Sequence, residues 1–340
     1  MLPRRASALT LARLSSISRH FAAAPPSPLP SRRSNMSSSV AASSVAASSG
    51  SASSATSPRF DISPVPPKKS GDDYVKTAGC LIIGDEVLNG KTKDSNSNFL
   101  AKFLFDLAID LKKIEVIADD EQEIVEAVRR MSSAYDLVIT SGGIGPTHDD
   151  ITYESIAKAF DTTLQYDEET KTRMVSLSKR RYNIDEQTEE QKIARNRMAL
   201  FPVPTSKTSV EVLFVDKELW VPVVRVAGRV CILPGVPMLF ERLLTGLGSR
   251  YINLPPSSEK PYRLLIHTSM PESSIAPFLT SLHERVRKEG VRVGSYPKFD
   301  KGVDVSLISK DLERIKELAQ EVVKELKGEI VEQGKLGESK

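Results

Sequence analysis

Two acidic pairs in this 340-residue chain stand at the exits of apolar runs. Gly84-Asp85-Glu86-Val87-Leu88-Asn89-Gly90 follows Ala78-Gly79-Cys80-Leu81-Ile82-Ile83. Ser141-Gly142-Gly143-Ile144-Gly145-Pro146-Thr147-His148-Asp149-Asp150 follows Asp136-Leu137-Val138-Ile139-Thr140. Glycines at 142, 143 and 145 let a backbone take positive φ and approach a ligand, so that successive N–H groups point at phosphate oxygens. A carboxylate pair beside such a cradle is where Mg²⁺ would sit, because that ion prefers one or two carboxylates together with phosphate oxygens and water. The competing reading is a tight turn capped by acids, and the glycines alone do not decide between the two.

The elements that must position these groups are legible around them. The run at 137–140 is β-branched and uninterrupted, as in a strand buried on both faces of a parallel sheet. Ile151, Ser155, Ala159 and Ile156, Phe160 then recur at helical spacing, with Asp149 and Asp150 in or just before the first turn, where acids suit the helix dipole. In open α/β sheets ligands bind at the carboxyl ends of strands, so Asp85 and Glu86 can face Asp149 and Asp150 across one crevice. Asp85 and Glu86 could equally form a solvated turn. Asp94 or Ser95 is expected to cap the helix carrying Phe99, Leu100, Phe103, Leu104 and Leu107. Leu111 to Ala118 reads as a further strand and Glu121 to Ser133 as a helix, a βαβαβα order that implies a parallel sheet covered by helices.

These segments carry a family resemblance. GDEVLNGKTKDSNSNFLAKFL and TSGGIGPTHDDITYESIAKAF resemble the paired signatures of the molybdopterin-binding (MoaB/Mog-like) domain, specifically its CinA branch, which is similar to the amino-terminal domain of eukaryotic FAD synthases. Asn196-Arg197-Met198-Ala199 followed by Pro202, and Ile232-Leu233-Pro234-Gly235-Val236-Pro237, continue the match in the family's order. The synthase half of those enzymes is a separate domain, for which no residues are expected here. The resemblance implies a three-layer α/β domain with a mainly parallel sheet. It also implies a divalent metal (Mg, Mn or Co) on Asp85, Glu86, Asp149 and Asp150, with Asp85, Asp149 and Asp150 catalytic. Gly84, Ser141, Gly142, Gly143, Gly145, Thr147, Asp94 and Asn96 would contact nucleotide or phosphate. His148 is either a proton-transfer partner or a loop residue, and Asn196 with Pro234–Pro237 is expected to shape the far wall.

Three regions are expected. Residues 1–71 would be a targeting peptide and a Ser/Ala-rich linker, 72–256 the MoaB/Mog-like domain and 257–340 a small α+β domain. The first 60 residues hold seven arginines and no Asp or Glu, a transit-peptide composition, so a mitochondrial location is expected, with Met36 able to start a cytosolic form. Those arginines leave 40 Lys+Arg against 44 Asp+Glu in the remainder, about −4. A basic surface for nucleic acid is therefore not indicated. Cys80 and Cys231, each in an apolar run, read as buried thiols, and no apolar run is long enough to span a bilayer. Tyr166-Asp167 and Asp185 are expected to start helices, Val221 to Val230 to form paired strands, and Trp220 to be packing. Beyond Pro255-Pro256 a β-α-β-β-α-β order predicts a ferredoxin-like module.

Acids at two strand ends can hold a metal against a pyrophosphate and orient an attacking oxygen. If water attacks, the reaction is hydrolysis of a dinucleotide such as FAD, to FMN and AMP, or ADP-ribose. If a pterin phosphate attacks an adenylate, it is molybdopterin adenylation. A chain that binds a flavin or pterin nucleotide without turnover is the third possibility. The expected partner is thus a small-molecule nucleotide or pterin, with neither nucleic acid nor membrane, and analogy with the superfamily suggests a homo-oligomer.

Overall fold

The computed structural model describes residues 60–67, 73–178, 186–256 and 259–335. The expected targeting peptide, the Ser/Ala linker, Met36 and the helix start at Asp185 lie outside them. The chain runs through β1 (Thr77–Ile83), α1 (Asp85–Leu88), α2 (Asn96–Asp106), β2 (Asp110–Ile117), α3 (Glu121–Ala134), β3 (Leu137–Ser141), α4 (Thr152–Ala159), β4 (Leu164–Tyr166) and α5 (Glu168–Ser178). It continues with α6 (Glu189–Arg197), β5 (Leu200–Pro202), β6 (Val210–Leu213), β7 (Val223–Val226), β8 (Val230–Leu233) and α7 (Pro237–Arg250).

The six-stranded sheet has the order β2-β1-β3-β8-β7-β6. The β2–β1, β1–β3 and β3–β8 pairs are parallel, whereas β7 pairs antiparallel with both β8 and β6. β3 and β8 are buried at every position, which is why their sequences do not alternate. α3 turns Ile124, Val125, Val128 and Met131 into the core, and Asp120 caps it by accepting the Glu123 N–H at 3.0 Å. α3 packs with α4 and α2 with α7, so the sheet is a middle layer between two helical ones. Cys80 on β1 and Cys231 on β8 are both buried and unbridged, and burial pushes each thiol up to about 12. Trp220 packs against the core, as a packing residue should. α6 starts on a capping box, Thr188 with Gln191, rather than on a carboxylate.

The small domain follows as β9 (Tyr262–Thr268), α8 (Glu272–Val286), β10 (Arg292–Lys298), β11 (Gly302–Ser309), α9 (Leu312–Leu326) and β12 (Glu329–Lys335). Its antiparallel sheet has the order β10-β11-β9-β12, the ferredoxin-like arrangement. α8 and α9 bury Ile275, Leu282, Ile315, Leu318 and Val322 against it in a core separate from the first. No helix among the described residues is long and apolar enough to cross a membrane.

Candidate functional site

β1 is flanked by β2 on one side and β3 on the other, so successive crossovers leave it in opposite directions. The carboxyl edge between β1 and β3 is thus a topological switch point, where a doubly wound sheet opens a crevice for a ligand. The exits of β1, β2, β3 and β8 all reach this edge, bringing Gly84–Glu86, Asp119, Gly142–Asp150 and Pro234–Gly235 around it.

Asp85 opens the short helix α1, and its N–H donates to Oδ2 of Asp119 at 3.0 Å. Burial pushes the Asp119 carboxyl above the usual carboxylate range; the Asp85 amide pulls it back, while the charges of Glu86, Asp85 and Asp149 add to the rise. That response places three of the four expected acids within the electrostatic field of one carboxylate that sequence reading missed. Asp119 stands just beyond β2, and the strand-exit rule that singled out Asp85 and Glu86 would have found it had it been applied to β2. Asp85, Glu86 and Asp149 are exposed.

Asp150 differs from the other acids. Its Oδ1 accepts the Gly145 N–H at 2.6 Å, and its Oδ2 accepts the Thr147 N–H at 2.8 Å and the Thr147 hydroxyl at 2.5 Å. The carboxylate is turned into its own loop and fastens it. The glycines also divide their roles. Gly142 and Gly143 have φ of 113° and 64°, but Gly145 has no positive φ, and what requires glycine there is the space taken by Asp150, whose Oδ2 would lie 2.6 Å from an added Cβ. A Cβ on Gly142 would overlap the Ile83 carbonyl oxygen. Gly142 N–H is spent on the Leu233 carbonyl at 3.2 Å and Gly145 N–H on Asp150. The amides of Gly143 and Ile144 find no acceptor among the described residues, so the donors this loop leaves open are this adjacent pair rather than the three glycines. Gly84 N–H is likewise occupied, by the Ile117 carbonyl at 3.1 Å.

The loop is also held from outside. Arg197, the last residue of α6, donates to the Thr147 carbonyl at 2.9 Å, the Asp150 carbonyl at 3.1 Å and Glu154 Oε1 at 3.2 Å. In the Asn196-Arg197 pair it is therefore the arginine that reaches the loop, while the Asn196 carbonyl accepts the Ala199 N–H. At the floor, Asn96 Nδ2 donates to Ser141 Oγ at 2.9 Å and to the Gly235 carbonyl at 2.8 Å, tying the start of α2 to the exits of β3 and β8. The Pro234–Gly235 turn does stand against Gly142, whose Cα would be 3.3 Å from a Cβ on Gly235. Asn96 is only 6% exposed, and its Oδ1 has no partner among the described residues, an acceptor left over at the crevice floor. Asp94 does the capping expected of it or Ser95, accepting the Ser97 N–H at 3.0 Å. His148 and Thr147 are exposed beside Asp149.

Among the described residues no three His, Cys, Asp or Glu side chains are gathered closely enough to hold an ion unaided. The donor set nonetheless fits a hard divalent cation completed by substrate oxygens and water, because every side chain offered is a carboxylate and their mutual repulsion at Asp119 is what a cation would relieve.

Comparison with known proteins places this fold. Residues 79–253 match the family described as a probable molybdopterin binding domain, and residues 261–335 match the middle domain of FAD synthase. The chain belongs to this family of MoaB/Mog-like molybdopterin-binding domains. It is 36% identical over 231 residues to a probable FAD synthase of Caenorhabditis elegans, a match covering 66% of this chain and 44% of that protein. The chain thus spans somewhat less than half the length of that relative. A protein of Pyrococcus abyssi is 31% identical over 259 residues, covering 72% of this chain and 94% of its own. The solved structure of the protein CinA from Thermoplasma acidophilum is 31% identical, covering 52% of this chain and 97% of its own with a TM-score of 0.42.

Proposed function

We propose that the chain is a metal-dependent hydrolase of a nucleotide pyrophosphate, with FAD as the foremost substrate and ADP-ribose as a related one. The observation that carries this reading is the convergence of acids on the carboxyl edge at the β1/β3 switch point, with two open amides beside four carboxylates. The Gly143 and Ile144 N–H groups are available to a phosphate oxygen, and Arg197 and Asp150 hold the loop that presents them. Asp85, Glu86 and Asp149 would hold Mg²⁺, Mn²⁺ or Co²⁺, which when bound supplies charge neutralisation to the pyrophosphate and polarises its phosphorus.

Asp119 is the carboxylate best placed to take a proton from an attacking water, since its raised affinity for protons suits a general base. Water adds to one phosphorus, the bridging P–O bond breaks, and FAD leaves as FMN and AMP. The acceptor on Asn96 suits an N–H or O–H of the substrate.

The open edge favours hydrolysis over transfer, since Asp85, Glu86 and Asp149 are exposed and a transferase must keep water from its activated nucleotide. The C. elegans relative called a probable FAD synthase, and the match to a FAD synthase middle domain, support a flavin nucleotide. The family description supports the second reading, adenylation of a molybdopterin. Incubating the full chain with FAD and each metal, and in parallel with ATP and a pterin phosphate, separates the two. FMN and AMP from FAD support hydrolysis, whereas an adenylated pterin as the sole product overturns it.

A further inference from the structure

The two domains do not close on one another along α2 and β2. A crevice of about 910 Å³ lies between them, within the range of small-molecule sites. α2 lines it with Asn98, Lys102 and Phe105, spaced four and three residues apart on one helical stripe, and the small domain faces it with the open side of its sheet. A smaller crevice of about 420 Å³ shares Phe105, Asp110 and Arg292 and continues it. This space belongs to the flank of the sheet and not to the acid-ringed edge, since none of Asp85, Asp119, Gly143 or Asp149 lines it.

Its charge is opposite to that of the protein around it. Lys102, Lys112, Lys113, Arg263 and Arg292 line the larger crevice against only Asp110 and Asp304, although the chain from Asp61 on carries about −4. Asp304 is neutralised from outside the lining, whereas Asp110 draws on Lys112 and Arg292, two of the lining cations. Asp110 lies 2.9 Å from Lys112 and 3.6 Å from Arg292, while Asp304 lies 2.5 Å from Lys298 and 2.8 Å from His267. Lys113 is paired with Glu115 at 2.9 Å, and Arg263 lies over the Phe105 ring, 5.5 Å from its centroid. Lys102 is exposed on the helix with no acidic partner among the described residues. Opposite the helix, Tyr296 lines the same space with 58% of its surface open, an aromatic face on which a planar ring can stack.

We propose that this interdomain crevice is a second ligand site, for a ring-bearing phosphate monoester of mononucleotide size. The phosphate dianion lies against Lys102 and Arg292, and the ring lies on Tyr296. The site stands independently of the hydrolytic reading, because it shares no lining residue with the acid-ringed edge. α2 connects the two physically. Asn96, which pins Ser141 and Gly235, is half a helical turn from Asn98.

FMN is a suitable probe, since its fluorescence falls when the ring stacks on an aromatic side chain. The full chain is titrated with FMN and with riboflavin, which lacks the phosphate, in the presence of a chelator. The proposal expects one FMN bound per chain, affinity lowered at least tenfold by Lys102→Glu and by Tyr296→Ala, and riboflavin bound at least tenfold more weakly. With the metal chelated there is no turnover to compete, so failure here is distinguishable from failure of the hydrolytic reading. No quenching by FMN, equal affinity for riboflavin, or unchanged affinity in Lys102→Glu and Tyr296→Ala would each overturn it. Both substituted side chains are solvent-exposed, and circular dichroism checks that the variants fold.

Discussion

The backbone N–H of Asp85 donates to the carboxylate of Asp119 at 3.0 Å, joining the exits of β1 and β2 beside the β1/β3 edge. One carboxylate is thereby partly buried in the field of three others, at the cost of a raised proton affinity. Asparagine at 119 would keep an acceptor for Asp85 and remove the charge. Asp119→Asn should therefore lower metal-dependent kcat/KM by about 10²–10⁴-fold without lowering Tm. The repulsion that the substitution relieves exists only while Asp119 is ionised. Any stability advantage of the variant should thus be present above the folded pKa and vanish as pH falls through it toward the ordinary value of 3.8. Paired thermal melts across pH, with steady-state kinetics, test both halves.

Asp150 acts on the loop. Asp150→Ala removes the acceptor for Gly145 N–H, Thr147 N–H and the Thr147 hydroxyl, and should cost about 1–3 kcal/mol of stability. Asp150→Asn should rescue only in part, because its amide nitrogen would face N–H donors. In kinetics both variants should raise KM more than they lower kcat, in contrast to Asp119→Asn.

Arg197 is a positioning residue, because its guanidinium meets carbonyl oxygens of the loop and Glu154. Arg197→Ala should raise KM several-fold and increase protease cleavage within 145–150. Lysine has only a point charge to offer in place of a planar fork, so Arg197→Lys should recover part of the effect. Equal KM for all three proteins would contradict the role.

Gly142 and Gly90 make a matched pair of backbone tests. At Gly142, φ is 113° and a Cβ would strike the Ile83 carbonyl, so Gly142→Ala should cost about 3 kcal/mol and abolish turnover. Gly90 has φ of 77° with open space around it, and Gly90→Ala should cost about 1 kcal/mol with activity retained. Chemical denaturation measures both.

Asp136 supplies the pH dependence of the fold. Burial raises its carboxyl, but hydrogen bonds from the Thr77 and Lys76 amides and the Thr77 hydroxyl outweigh this, leaving it below the ordinary 3.8. Its contribution is present above 3.8 and is lost as pH falls through the lower folded value. Asp136→Ala should cost about 1 kcal/mol at neutral pH, discounted for its exposure, and progressively less in acid. Denaturation at pH 7 and at pH 3 distinguishes this from a pH-independent loss.

The fold was largely readable because its strands are unbroken apolar runs and its helices carry regular stripes. Local patterning alone located β1, β3 and β8 and the β-α-β-β-α-β order of the small domain. The candidate site is legible where its residues lie contiguous in the chain, in Gly142–Asp150 and Gly84–Glu86. Asp119 is missed where the strand-exit rule is not carried to β2, whose parallel pairing with β1 brings it to Asp85. The hydrogen bonding of Asp150 and the packing at Gly145 are not legible for a related reason. Residue types show that a carboxylate can bind metal, but not that its oxygens are already spent on backbone donors three and five residues away. The clamp from Arg197 spans about fifty positions and depends on where α6 ends.

The central claim is that water attacks a nucleotide pyrophosphate at the Asp85–Asp119 crevice. The most direct measurement follows FAD turnover in ¹⁸O-labelled water with Mg²⁺, Mn²⁺ or Co²⁺, analysing FMN and AMP by mass spectrometry for wild type and Asp119→Asn. One labelled oxygen in the phosphate of one product, formed by wild type and suppressed at least a hundredfold in the variant, is the predicted result. Turnover without label, or label appearing equally in Asp119→Asn, would contradict it.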